Sequence, residues 1–193
     1  MAASRLTRSG FILRTAAAGA AAGWPAAPAA AAPSEVDLAW VRFGVAAEYV
    51  SADYYRRARR TGLFSGDESR ALERATAAQL AHHRRFRQTL IDNGQAPIED
   101  DDLEVVFPDG AFETRAATVS LGRRIGGLML HAYLGAVTTI REEPVRRLCA
   151  QVSASEAEQL AYVTGLAGRV ITDPFPPVHG LETAADQLAS DLP

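Results

Sequence analysis

The sequence has no lysine and a single cysteine, Cys149. With one thiol no disulfide can form within the chain, so the fold rests on no internal cross-link. A lone cysteine on a helix is most often a small core residue. All cationic charge is arginine, 20 residues against 23 acids, for a net charge of −3. Arginines interspersed with acids in a mildly acidic chain argue against nucleic acid as a partner. A phosphate-cradling glycine loop, Cys/His zinc spacing and a nucleophile triad are also missing. So are strand-like alternation and any repeat at the usual solenoid periods. What remains is 193 residues, 48% hydrophobic and 22% charged. That suits one globular domain plus a terminal extension, large enough to bury its own core.

Residues 1–33 read MAASRLTRSGFILRTAAAGAAAGWPAAPAAAAP. A basic start, a weakly apolar Ala/Gly run and then small residues with proline are the layout of an export signal. Around TRSGFILR it resembles a twin-arginine signal, with Ser9 standing where the second arginine would be. Cleavage is expected near Ala30–Ala32, and no cysteine lies nearby to carry a lipid anchor. The run is short and broken by glycine and proline, so no membrane span is expected once it is removed. Its removal takes away three arginines and no acid, leaving about −6 on the mature chain. The other readings of the segment are a disordered Ala-rich tail or a retained anchor. The expected location is the periplasm, the cell envelope or the outside of the cell, and twin-arginine export would carry a folded protein.

Turn signals divide the remainder into four long helices. The first runs from Ser34 to Arg60 and stops at Thr61-Gly62. The second starts at Ser65-Gly66-Asp67-Glu68 and stops at Asn93-Gly94. An acidic loop over 94–112 follows, then a third helix from Phe112 to Arg141. Pro144 fits the first turn of a fourth, which reaches Gly168. Residues 169–193 form a C-terminal extension with a short helix from Glu182. Equal helices with one apolar stripe each predict an all-α, antiparallel four-helix bundle over 34–168. The long loop predicts a crossover between the second and third helices, which would then run parallel.

Each apolar stripe follows the 3–4 spacing of a helix face. Val41, Val45, Ala52 and Tyr55 form the first, with Glu48 in its gap. Leu72, Ala75, Phe86 and Leu90 form the second, with Gln79 and His82 in its gap. Val119, Gly122, Gly126, Leu130, Tyr133, Val137 and Ile140 form the third, with His131 beside it. Val145, Leu148, Val152, Val163 and Leu166 form the fourth, with Glu156 and Gln159 in its gap. A buried carboxylate must be paired, hydrogen-bonded or metal-bound. The stripes leave two readings open. Carboxylate and imidazole from facing helices are the ligand set of a bundle-core metal site. A metal-free network is the other, with Glu48 or Glu156 hydrogen-bonded to Gln79, Gln159, Tyr133 or Tyr55.

The stretches FGVAAEYVSADYY, QLAH, LHAYLGAVTTI and SEAEQLAYVTGLAG resemble, in order and spacing, the four helices of the ferritin-like superfamily. The nearest likeness is to the ferritin-like domain shared with desiccation-related proteins, and it covers roughly 35–168. That family binds two metals through Glu-x-x-His on two helices and single glutamates on the others. The resemblance therefore implies that Glu48, His82 and Glu156 stand at three of six ligand positions. Gln79 replaces a glutamate and Gln159 a histidine. The third-helix glutamate falls at Gly126 or Gly127 and is missing, with His131 one turn further along as a partial substitute. An amide cannot bridge two cations as a carboxylate does. The expectation is a degenerate centre in a non-catalytic, binding or stress-related protein. The alternative is one iron or manganese ion (less readily two) with a redox or storage role. The metal-free bundle is the leading reading; one iron or manganese ion as cofactor, and a homo-oligomer, are left open.

Elsewhere the blander readings are preferred. His83 is expected to face solvent or the bundle edge, about 100° round from His82. His179 in the proline-rich tail and the EDDD run at 99–102 carry no expected role. YYRRARR at 54–60 ends a helix, where cations complement the dipole. Gly122, Gly126 and Gly127 either let helices approach closely or leave a gap where the missing glutamate would stand.

Overall fold

The computed structural model describes residues 32–171 and 175–190. The expected export segment falls on 1–31, outside the described residues. Five α-helices are present: α1 (Glu35–Arg60), α2 (Gly66–Asp92), α3 (Arg115–Thr139), α4 (Glu143–Leu166) and α5 (Leu181–Ser190). Among the described residues there is no strand, and no helix is long and apolar enough to cross a membrane.

Local chemistry sets the helix ends. Ser34 and Asp37 form a reciprocal capping box at the start of α1. Gly62 (φ 73°) and Gly94 (φ 69°) take the left-handed turns after α1 and α2. The third helix begins at Arg115 rather than Phe112 because the Thr114 hydroxyl caps it, accepting from the Ala117 amide at 3.1 Å. It ends at Thr139 rather than Arg141. The backbone N–H groups of Arg141 and Glu142 are turned instead onto the Asp37 carboxylate, at 3.0 and 3.4 Å.

Two long-range hydrogen bonds fix the topology. Tyr54, late in α1, donates to the Thr118 carbonyl, early in α3, at 3.0 Å. Asp37, early in α1, accepts from Arg141 just past α3. The two helices are therefore antiparallel. A tight turn also makes α1 and α2 antiparallel, so α2 and α3 run parallel, joined by the long crossover as expected. The main packing pairs are α1 with α2 and α3 with α4.

Glycines let the pairs close. A Cβ on Gly44 would come within 2.8 Å of the Phe86 ring. A Cβ on Gly122 would overlap the Tyr54 hydroxyl, and one on Gly126 would sit 3.2 Å from Leu160 Cδ1. Close approach is thus the role of Gly122 and Gly126, whereas Gly127 faces open space. Trp40, Phe43, Tyr54, Phe86 and Tyr133 are all nearly or fully buried. Each such side chain contributes about 1.5–3 kcal/mol by leaving water.

The crossover lies on the bundle and buries Leu103, Phe107 and Ala111. The C-terminal extension docks too. Its α5 packs on α3 and α1 and adds Ala184 and Leu188 to the core.

Candidate metal centre

Glu48 and Gln79 are fully buried, and Glu156 is 1% exposed. They project from α1, α2 and α4 at mid-height. His82, one turn beyond Gln79, keeps 20% of its side chain exposed and closes the site toward solvent. Its Nδ1 lies 3.1 Å from Glu48 Oε2 and 3.9 Å from Glu156 Oε1. One ligand atom from each of Glu48, His82 and Glu156 falls within 4.8 Å of the others. These three could hold a metal ion between them.

The neighbours orient the carboxylates. The Tyr133 hydroxyl donates to Glu48 Oε1 in a short hydrogen bond. Gln79 Nε2 donates to Glu156 Oε1 and to Gln159 Oε1, both at 2.9 Å. Gln159 in turn donates to the Ser155 hydroxyl at 3.2 Å. Gln79 Oε1 is left buried without a partner. Burial first, and then the charge of Glu48, pushes the Glu156 carboxyl well above the usual carboxylate range, against the pull of the Gln79 amide. Burial, then Glu48 and its hydrogen bond, raises Tyr133 well above an ordinary phenol. Burial, then Glu48, pushes the Cys149 thiol up to about 12, so it is an inert core group.

Of the six positions singled out in the sequence, five gather here: Glu48, His82, Glu156, Gln79 and Gln159. His131 does not. Tyr133 points at Glu48, and two residues along a helix is a rotation of about 200°, so His131 points away. It packs instead on His179 of the extension, ring centroids 5.0 Å apart. Its carbonyl accepts the His179 amide at 3.0 Å. The bland reading of His179 is thereby replaced by a docking contact.

His83 is also corrected. It is 3% exposed, with Nδ1 2.8 Å from the Val45 carbonyl and Nε2 2.9 Å from Asp100 Oδ1. Each ring nitrogen thus faces an oxygen, one from the α1 backbone and one from the crossover. Asp100 and Glu99, which pairs with Arg87, tie the acidic loop to α2.

Two carboxylates and an imidazole are ligand types that suit a divalent cation. No third carboxylate or second imidazole joins them among the described residues. Gln79 and Gln159 bring no charge, and Leu160 lies against Gly126, where the missing carboxylate would project.

A one-crossover bundle that aims carboxylate and imidazole at a common point is the architecture of the carboxylate-bridged metal proteins. The ferritin-like domain model matches residues 36–169, and the chain belongs to that family. No curated protein matches the chain significantly.

Proposed function

We propose that this chain is an exported ferritin-like protein that binds one iron or manganese ion through Glu48, His82 and Glu156. It acts as a binding protein and not as a di-metal oxidase. The observation that carries this reading is the approach of the three ligand atoms to within 4.8 Å of one another. A bound ion would supply Lewis-acid and one-electron chemistry. The chain's own residues hold the ligands in place. Tyr133 fixes the Glu48 carboxylate, Gln79 fixes that of Glu156, and His82 forms the side that faces solvent. Export is supported by the layout of residues 1–33.

A second reading, a metal-free polar core, is favoured by one observation. The Gln79 amide already satisfies Glu156 and Gln159. Elemental analysis of protein from iron- and manganese-supplemented cells separates the two. Near-stoichiometric metal, lost in Glu48→Ala and His82→Ala, is the expected result. Metal-free protein whose melting temperature ignores added Fe²⁺ and Mn²⁺ would refute the metal reading. The intact mass of exported protein should place the new N-terminus near Ala30–Ala32.

A further inference from the structure

The candidate metal centre is shut. Glu48, Gln79 and Glu156 lie out of contact with solvent, so an ion reaches them only if a side chain moves. Two members of the cluster are partly exposed, His82 on α2 and Gln159 on α4. These two helices pack on each other far more sparsely than either packs on its hairpin partner. The seam between α2 and α4 is thus the thinnest wall of the site, and His82 and Gln159 both stand on it.

The two are held differently. His82 sits 3.1 Å from a Glu48 carboxylate oxygen and belongs to the ligand triad. Gln159 is tied only to neutral groups. Its Oε1 accepts from Gln79 Nε2 at 2.9 Å, and its Nε2 donates to the Ser155 hydroxyl, one turn back on α4, at 3.2 Å. The same Gln79 nitrogen donates to Glu156 Oε1, so Gln159 stands two hydrogen bonds from an oxygen of the triad. Hydrogen bonds between neutral groups have modest net strength, and an amide that swings outward exchanges them for bonds to water. Gln159 is therefore a closed but weakly fastened side chain between the triad and solvent.

We infer that Gln159 is the gate of the site. It swings out of the α2–α4 seam to admit or release an ion, and it closes by bonding to Gln79 and Ser155. The inference rests on the metal reading of Glu48, His82 and Glu156. A gate changes the rates of entry and exit in the same proportion and leaves affinity alone. A ligand, or a residue that supports one, changes affinity.

Stopped-flow mixing of the full chain with Mn²⁺ gives the loading rate, with free Mn²⁺ read by a fluorescent indicator. Mixing the loaded chain with excess chelator gives the release rate, and equilibrium titration gives Kd. Gln159→Ala should speed loading and release about tenfold each, with Kd changed by less than about twofold. Ser155→Ala keeps Gln159 and its bond to Gln79, and should speed both about threefold. It guards against a packing defect in the first variant. Gln88→Ala, on the exposed face of α2, should leave both rates unchanged. Unchanged rates in Gln159→Ala and Ser155→Ala would overturn the gate. So would faster release with unchanged loading, which raises Kd and makes Gln159 a support of the site. A wild-type chain that takes up no Mn²⁺ would overturn the metal reading and the gate with it, a result distinct from the other two.

Discussion

Gln79→Glu changes one atom type and should separate the metal-free and metal-loaded states. Without metal, Gln79 Nε2 donates from a fully buried position to Glu156 Oε1 and Gln159 Oε1, both at 2.9 Å. A glutamate there removes both donors and sets a carboxylate against Glu156, whose own carboxyl is already pushed upward by burial and by Glu48. Two lost hydrogen bonds and facing acceptors cost about 3 kcal/mol. At about 2–4 °C per kcal/mol for a chain of this size, the melting temperature should fall by about 6–12 °C. With a divalent ion the same carboxylate becomes a ligand and its repulsion is relieved. The assay is a pair of thermal melts, in chelator and in excess Mn²⁺, on wild type and variant. Mn²⁺ should raise the variant by more degrees than the wild type. A variant as stable as wild type in chelator would refute the bridging role of the amide. Equal metal-induced shifts would refute the idea that position 79 faces a cation site.

Substitutions at Asp37 and at three glycines test the packing. Asp37→Ala should cost about 3 kcal/mol in denaturant titrations, since it strands the amides of Ser34, Arg141 and Glu142. Burial works to raise the Asp37 carboxyl, but the amides of Arg141, Ser34 and Glu142 hold it below its ordinary value of 3.8. Its stabilisation is therefore complete above that value and disappears as pH falls through the lower folded-state value, so Asp37→Asn should flatten the acid limb of the stability profile. Gly122→Ala should displace the Tyr54 hydroxyl from Thr118 and destabilise by about 2 kcal/mol, whereas Gly127→Ala, facing open space, should stabilise by up to about 1 kcal/mol in the same titration. Gly135→Ala would drive a Cβ into the His179 carbonyl, so amide exchange in α5 should speed up while α1 keeps its protection.

The helices and the main site were legible because both are written in helical spacing. Glu48, Gln79 and Glu156 occupy stripe gaps that only a polar interior explains. The sequence reading of His83 went wrong for a traceable reason. Positions 79, 83, 86 and 90 keep the 3–4 spacing as well as 79, 82, 86 and 90 do, so periodicity could not choose between the histidines. The choice was made by Asp100, a partner from the crossover that no local pattern reveals. His131 failed in the same way. Its closeness to the third stripe was real, but Tyr133 took the inward direction. The docking of α5 was invisible because Ala184 and Leu188 are too few to mark a core face.

The centre is divided between two hairpins made at different times. The α1–α2 hairpin carries Glu48, Gln79 and His82, and the α3–α4 hairpin brings Glu156 and Gln159. Synthesis runs from the N-terminus, so the first hairpin leaves the ribosome with its polar stripe still in water. Only when the second hairpin arrives does that stripe become an interior. Assembly of the Glu48, His82 and Glu156 triad and closure of the bundle then coincide, and under the proposed metal reading the compartment in which the chain folds would set the supply of metal to the site.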